Sequence, residues 1–319
     1  MSVQAVLANQ LAEVRREARR VLESGEVKTV LGYRAGPTAV RAMPALITRP
    51  EDTDLLVWSP ACANNLGLYV RQAAPEGKVA VVAKGCDARS IVMLIQEQQI
   101  PRESVYIIGV ACPGVVDPDR LADAGIREEK LTGASWDGAE IVLESPEGEA
   151  RPGRESIAKM ACLTCDVHTP PLYDILIGEA PAIEPVDGLS PIPEGTEDRR
   201  AFWAKQFDRC VRCYACRQVC PSCYCTVCFA DRASPRIVSK RIRGQENWMY
   251  HTVRAMHMAG RCVECGECER VCPVGIPLLQ MMRELGAEVD ELFAFKPGMD
   301  PEAEPVFGVF KNEDEGPEP

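Results

Sequence analysis

Two cysteine-rich runs in the second half of the chain have the residue types and the spacing to bind iron–sulfur clusters. Each run has the pattern C-x2-C-x2-C-x3-C-P, in which three thiolates hold one 4Fe-4S cluster and the fourth ligates a second cluster. The runs contribute Cys210, Cys213, Cys216 and Cys220, then Cys262, Cys265, Cys268 and Cys272. The pattern therefore predicts two clusters, one on Cys210, Cys213, Cys216 and Cys272 and the other on Cys262, Cys265, Cys268 and Cys220.

A pair of structural zinc sites is the alternative interpretation of these runs. Zinc sites also use C-x2-C pairs, but a zinc ion takes four ligands and does not require a triple C-x2-C-x2-C followed by x3-C-P. The runs resemble those of dicluster ferredoxins. This resemblance implies an α+β, bacterial dicluster ferredoxin-like domain in the second half of the chain.

Cysteines in the first half suggest a third site. Cys86 and Cys112 each follow an apolar segment predicted as a strand, at residues 78–83 and 104–110. Ligands of open parallel sheets bind at the carboxyl ends of strands, so these two thiols can share a site. We predict a third 4Fe-4S cluster on Cys86, Cys112, Cys162 and Cys165, with Cys62 as the reserve ligand. The alternative is that the single cysteines are small buried side chains.

Three more thiols follow the first run directly. Cys223, Cys225 and Cys228 lie within six residues of one another, which is unusual for inert packing. They could compete as ligands of a ferredoxin cluster, belong to another cluster, or form a site shared with a partner. The sequence does not choose among these roles.

Composition limits the class of protein. Sixteen cysteines in a chain of 319 residues with 46% apolar residues do not fit a small secreted scaffold held by disulfides. They predict metal binding in a reducing compartment, the cytoplasm. A net charge of −11 argues against nucleic acid as a partner, because that binding requires clustered Lys and Arg. A basic stretch at residues 232–243 is either a solvated face or a contact for an acidic partner or a flavin phosphate.

The apolar pattern predicts two domains. An amphipathic helix over residues 1–23 precedes alternating strands and helices, which predicts an α/β domain with a parallel or mixed sheet over residues 1–185. Strands are also expected at residues 27–31, 45–48, 54–58 and 139–143. A proline-rich linker over 186–198, the ferredoxin domain over 199–290 and an acidic tail over 291–319 follow. No stretch approaches the roughly 18 apolar residues of a membrane span, so none is expected.

The first domain resembles a known family. Residues 81–89, which read Val-Val-Ala-Lys-Gly-Cys-Asp-Ala-Arg, and the Cys162/Cys165 pair with Tyr173-Asp-Ile-Leu-Ile-Gly178 are similar to signatures of the beta subunits of coenzyme F420-reducing (deazaflavin-linked) hydrogenases and formate dehydrogenases. The chain departs from that family in placing the ferredoxin domain after this one and in having Gly85 where proline is common. The whole arrangement resembles forms associated with heterodisulfide-reductase-like complexes.

The resemblance implies cofactors and contacts. It implies FAD and one 4Fe-4S cluster in the first domain, with hydride exchange with a soluble deazaflavin and single-electron transfer to a partner. If flavin binds, Lys84, Asp87 and Arg89 at the strand end are the expected contacts. Their alternative role is to cap the strand end. No G-x-G-x-x-G fingerprint follows a strand, so a classical dinucleotide fold is not expected.

These observations predict an iron–sulfur flavoprotein subunit of an anaerobic oxidoreductase complex. Its partners would be other subunits of a hydrogenase, a formate dehydrogenase or a heterodisulfide-reductase-like assembly. Because clusters carry one electron at a time and hydride donors give two, a flavin would be needed to split the pair. The alternatives are a flavin-free electron relay, a subunit of a sulfite-reductase-type complex and a zinc-based nucleic-acid module.

Overall fold

The computed structural model describes residues 3–308, with side chains from residue 9 onward. The first domain contains, in chain order, α1 (Val3–Glu23), β1 (Thr29–Thr38), β2 (Arg41–Ile47), α2 (Gly67–Ala73), β3 (Val79–Ala83), α3 (Gly85–Gln96), β4 (Val105–Val110), α4 (Pro118–Asp123), β5 (Gly133–Asp137), β6 (Glu140–Ser145), β7 (Gly148–Ala150), α5 (Arg154–Ile157), α6 (Met160–Leu163) and β8 (Ile175–Ile177). Short 3-10 turns join several of them.

The main sheet is mixed, as predicted. Its strand order is β2-β1-β3-β4-β8, with β2 antiparallel to β1 and the other neighbours parallel. Every residue of β3 and β4 is buried, which is why both strands have continuous apolar sequences rather than alternating ones. Ala83 pairs with Gly109, so these strands end level with each other. The segments that follow them, with Cys86 and Cys112, therefore leave the sheet at the same edge.

The strand predicted at residues 54–58 is wrong. The chain instead forms a 3-10 turn, Pro50–Leu55, in which the Thr53 hydroxyl donates to the Pro50 carbonyl. Leu56 then makes a single antiparallel bridge to Arg34. Leu56 and Trp58 are buried and Leu55 is exposed, so the alternation is genuine but belongs to an extended segment rather than to a strand.

A separate antiparallel sheet, in the order β5-β6-β7, covers the region where one strand was expected at residues 139–143. Trp136 of β5 is buried, and its indole donates to the Gly114 carbonyl at 2.7 Å. This bond fixes the small sheet to the loop that carries Cys112.

The second domain consists of helices joined by turns in the described residues from 196 to 308. These helices are α7 (Thr196–Asp208), α8 (Ala215–Gln218), α9 (Gly244–Met258), α10 (Glu267–Arg270) and α11 (Leu278–Phe293). Stacked aromatic side chains of Trp203, Phe207 and His251 join α7 to α9. An α/β domain followed by a ferredoxin-like region agrees with the predicted fold class.

The last helix extends into the predicted tail, which is partly packed. Val289 continues the buried face of α11, and the helix ends only at Ala294, which has a positive φ of 48°. The predicted boundary after residue 290 therefore falls inside a helix. The next residues pack on the first domain, where Arg89 donates to the Pro297 carbonyl and Gln96 to that of Asp300. The remainder of the predicted tail, from residue 309, lies outside the described residues.

Within residues 3–308, no helix is both long enough and apolar enough to cross a bilayer.

Candidate iron–sulfur sites

The two cysteine runs of the second domain fold in the same way. Arg212 and Glu264 lie at the same position of their runs and both have positive φ, at 50° and 56°. Tyr214 and Gly266 are equivalent as well, with φ of 62° and 68°, and each precedes a short helix, α8 or α10. Residues in the left-handed region turn the backbone sharply, so each loop curls around its thiols.

The thiols that the cross-ligation rule assigns to the first cluster lie near one another, and their ligation of one cluster stays a prediction. Burial raises the pKa of the Cys210 thiol, and the neighbouring thiols of Cys216, Cys272 and Cys213 raise it further. Cys272 comes from the other run, 62 residues away along the chain. The backbone N–H of Arg212 donates to the Cys210 sulfur at 3.3 Å, as N–H groups do around thiolates.

The second group has the reciprocal composition. Burial raises the pKa of Cys262 well above its usual value, and the nearby thiols of Cys268, Cys265 and Cys220 add to the shift. Cys220 is the member contributed by the first run. Burial that penalises free thiolates would be offset by bonds to iron, because the thiolate is the ligand form.

Side chains of α9 support both groups. Arg254 is 3% exposed, and it donates to the Cys216 carbonyl at 3.2 Å. Its burial opposes its charge, but the thiols of Cys268, Cys220 and Cys216 hold its pKa above the ordinary value. The Arg254 guanidinium therefore lies between the two groups as a counter-charge.

His251 and Asn247, one and two helical turns before Arg254, bind the first group. Burial, with Arg254 and Arg212 nearby, lowers the pKa of His251 to about 3, so the imidazole is neutral. Its Nε2 lies 3.3 Å from the Cys210 sulfur and can donate to it. The Asn247 amide donates to the carbonyls of Phe207 and Cys210 at 2.9 Å each. Sequence reasoning missed both residues, because their roles arise from the packing of α9 on the cysteine loop and no local pattern signals them.

The four thiols predicted for the first domain line one cavity. Cys86 is at the start of α3, Cys112 follows β4, and Cys162 and Cys165 lie in and after α6. The backbone N–H of Val115 donates to the Cys162 sulfur, and that of Val167 donates to the Cys165 sulfur, each at 3.4 Å. That these four residues ligate a cluster stays a prediction.

The same cavity reaches the second domain. Cys265 lines it together with the four first-domain cysteines. The pKa of Cys86, raised by burial and by Asp87, is raised further by Cys265 and Cys112, which are close neighbours. The first-domain thiols and the second ferredoxin group are therefore adjacent.

A buried ion pair joins the domains beside this cavity. Lys159 Nζ lies 2.5 Å from Glu267 Oε1, with side chains 6% and 2% exposed. Arg270 makes a second ion pair with Glu267 at 2.7 Å. These cations hold the pKa of Glu267 down at about 2, against its burial. Lys159 is three residues before Cys162, and Glu267 is between Cys265 and Cys268, a proximity to the cysteines that sequence inspection could have noted.

Lys84 and Asp87 have their hydrogen bonds inside the first domain. Asp87 is fully buried and accepts from the backbone N–H groups of Lys84 and Leu66 as well as from Lys84 Nζ. Lys84 Nζ also contacts the Tyr33 hydroxyl and the Asn64 carbonyl. These contacts cap the start of α3. Asp87 has no exposed surface, whereas Lys84 also lines the cysteine cavity.

Arg89 differs from them. It is buried, it lines the cysteine cavity, and it donates to the carbonyls of Pro297 and Val263. Its Nη2 has no hydrogen-bond partner in the described structure. A buried guanidinium with an unused donor, in a cavity lined by thiols, can donate a hydrogen bond to an anionic cluster. The flavin role predicted for Lys84, Asp87 and Arg89 stays a prediction.

Cys62, the reserve ligand, is fully buried in the first-domain core, where its thiol donates to the Val57 carbonyl at 3.7 Å. Burial raises its pKa to about 11. Among the described residues, no three His, Cys, Asp or Glu side chains converge as ligands of a single metal ion.

Comparison with known proteins agrees with this arrangement. Residues 76–211 match the family model for the C terminus of the coenzyme F420 hydrogenase/dehydrogenase beta subunit, and residues 206–276 match that of the 4Fe-4S dicluster domain. A stretch that matches this beta-subunit family is therefore followed by one that matches a dicluster domain. The resemblance predicted from the sequence is confirmed, whereas an association with heterodisulfide-reductase-like complexes remains a prediction.

Relatives of this beta-subunit family match over most of the chain. The F420-dependent formate dehydrogenase subunit beta of Methanocaldococcus jannaschii is 23% identical, covering 91% of this chain and 92% of that protein. The F420-dependent formate dehydrogenase 1 subunit beta of Methanococcus maripaludis is 27% identical, covering 90% of each. A chain of the F420-reducing [NiFe] hydrogenase complex from Methanosarcina barkeri aligns with a TM-score of 0.39 and 15% identity, covering 49% of this chain and 58% of that one.

Proposed function

We propose that this chain is the electron-transfer beta subunit of a coenzyme F420-linked dehydrogenase complex in the cytoplasm. In this role, the two clusters of the second domain and one cluster of the first domain form a relay. The observation that carries the proposal is the shared cavity, where Cys265 of the second ferredoxin group meets Cys86, Cys112, Cys162 and Cys165. The buried Lys159–Glu267 ion pair and the buried Arg89 lie beside this cavity and join the two domains there.

The relay has a defined order. The first-domain site adjoins the group of Cys262, Cys265, Cys268 and Cys220, which in turn adjoins the group of Cys210, Cys213, Cys216 and Cys272 through Arg254. Clusters pass one electron at a time. The first-domain cluster therefore exchanges electrons with one end of the ferredoxin domain, and Cys213, which is exposed, marks the other end as the exit to a partner.

Formate dehydrogenase catalytic subunits are the partners that the relatives favour, and hydrogenase subunits are the second candidate. A heterodisulfide-reductase-like partner is supported only by the sequence resemblance. The proposed relay runs through clusters alone and contains no flavin step. A flavin, if present, would supply the exchange between hydride and single electrons.

Anaerobic purification of the wild type and of Cys162→Ser tests the relay. We expect the three 4Fe-4S clusters of the relay to account for roughly twelve irons of the wild type, four for each cluster, before any further centre is counted. Cys162→Ser should lose the iron of one cluster, while the reduced ferredoxin clusters keep their electron paramagnetic resonance (EPR) signals. A matched control is Thr164→Ser, between the two cysteines. A wild type with iron for two clusters only, or with stoichiometric zinc, would overturn the relay. Released flavin, measured in the same samples, decides whether the subunit also binds FAD.

A further inference from the structure

Three thiols outside the two C-x2-C-x2-C-x3-C-P runs line a pocket of their own. Cys223, Cys225 and Cys228 lie on the loop after the first run, and His257 of α9 lines the same pocket. The pocket has a volume of about 250 Å³, against about 30 Å³ for one water molecule in the liquid. The space therefore suits a polynuclear group better than a single ion.

The loop is held in place by the first domain. Tyr224, between two of the cysteines, donates its hydroxyl to Glu97 at 2.6 Å, and its carbonyl accepts from Arg71. Glu97 also makes two hydrogen bonds to Arg261, which lines the pocket. Ser222 donates to the Arg261 carbonyl at 3.0 Å. The thiols are therefore carried by a loop that is fixed before any ligand binds.

A buried cation faces this pocket with unused donors. Arg254 lines the pocket and is 3% exposed, and both its Nε and its Nη1 lack hydrogen-bond partners in the described structure. An unpaired buried donor is costly unless something accepts from it. An anionic occupant with sulfur acceptors would accept hydrogen bonds from both Arg254 Nε and Arg254 Nη1. Arg217 at the pocket wall adds a further positive charge.

The geometry points to an additional iron–sulfur cluster bound by Cys223, Cys225, Cys228 and His257. Each iron of a 4Fe-4S cluster takes one protein ligand, usually cysteine, and imidazole replaces cysteine in some clusters. The three thiolates hold three irons and the His257 imidazole holds the fourth. The inference rests on the proposed function in that the chain is assembled with clusters. It adds a centre outside the relay, on the face that Cys225 exposes.

Anaerobically purified full-length variants test this cluster by iron, acid-labile sulfide and EPR. The double variant Cys225→Ser/Cys228→Ser should lose the iron and sulfide of one cluster and keep the signals of the remaining clusters. His257→Ala should lose the same cluster or change its signal, and His257→Cys should keep the iron and shift the signal. Val227→Ala is the matched control, because it changes an exposed side chain of the same loop.

Four results would overturn the inference. Unchanged iron and sulfide in the double variant would leave the three thiols without a cluster. One zinc per chain that disappears in the double variant would assign the site to a single ion. An unaltered signal in His257→Ala would remove His257 from the ligand set. If the double variant loses all clusters, Cys225→Ser alone is measured next, because the exposed Cys225 side chain contributes little to folding. Loss of all clusters in this single variant would also count against a separate site. Failure of the proposed function is distinct, because it is measured with Cys162→Ser, whose iron content and signals would then match those of the wild type.

Discussion

Single side chains around the cysteines tune the clusters through hydrogen bonds and charge. The neutral imidazole of His251 lies 3.3 Å from the Cys210 sulfur and is stacked on Phe207 at 4.5 Å between ring centroids. A donor to a ligand sulfur stabilises the reduced, more negative cluster, and such bonds are one determinant of its potential.

Replacing His251 by leucine should lower the reduction potential of the cluster on Cys210. Loss of a hydrogen bond of about 1.4 kcal/mol corresponds to roughly 60 mV for a one-electron couple. Redox titration followed by EPR measures the shift. Thr252→Ala, an exposed neighbour, is the control and should leave the potential in place. An unchanged potential in His251→Leu would show that the imidazole does not donate to this sulfur.

The Lys159–Glu267 pair should be essential to the domain interface. Lys159→Met leaves the Glu267 carboxylate buried with Arg270 as its remaining partner, and breaking a buried pair in this way costs about 3 kcal/mol. Thermal unfolding of anaerobic samples should show a clearly lower midpoint. Adding Glu267→Gln should recover part of the loss, because the stranded charge is removed. If the double variant is as unstable as the single one, the cost comes from packing and not from charge.

At the scale of elements, the turn that begins α10 is constrained by its own backbone conformation and by the neighbouring helix α6. Gly266 has a φ of 68°, and a β-carbon there would lie 2.7 Å from the Ala161 β-carbon of α6. Tyr214 holds the equivalent position of the first run with φ 62°, so a side chain is tolerated where the first domain does not press against the loop. The two runs are thus alike in backbone but differ in surroundings.

Gly266→Ala should therefore destabilise the protein much more than an alanine at a left-handed position with free space around it. Gly138→Ala is the matched control, since Gly138 has a φ of 62° and nothing within 4 Å of its added β-carbon. We expect about 1 kcal/mol for the control, from backbone strain alone. Gly266→Ala should cost more and reduce the iron content. Equal midpoints of thermal unfolding in the two variants would mean that α6 and α10 move apart freely.

At the scale of the whole molecule, several sets of contacts join the two domains. One is the Lys159–Glu267 pair, a second is Arg89 with the Val263 and Pro297 carbonyls, and the third is Glu97 with Arg261 and Tyr224. Lys296 of the C-terminal segment also pairs with Asp166. The chain is therefore held as one unit around its cysteines, which a relay of electrons requires.

Removing Glu97 should loosen the domains without touching a cysteine. Glu97→Ala leaves Arg261 and the Tyr224 hydroxyl without their acceptor, which costs roughly 1–3 kcal/mol. We expect faster limited proteolysis of the segment between Cys220 and Cys262, with iron content retained. The exposed Glu103, replaced by alanine, is the control. Cleavage at the control rate would show that the other contacts between the domains are sufficient.

Sequence alone determined the features that depend on neighbouring residues. The two cysteine runs, the first helix and the buried strands β3 and β4 are specified within short stretches, because ligand spacing and apolar periodicity are local properties. The family followed from the same stretches. The strand predicted at residues 54–58 was wrong because the side-chain alternation of Leu56 and Trp58 reflects burial and does not establish strand pairing.

Only the tertiary structure decided which distant residues meet. Parallel pairing of β3 with β4 brings Cys86 and Cys112 to one edge, and docking of the domains brings Cys265, Lys159 and Glu267 there. The packing of α9 places His251 and Arg254 against the thiols and His257 in the pocket of Cys223, Cys225 and Cys228. These contacts join residues far apart in the chain, and their geometry depends on strand register and domain docking, which no local spacing encodes.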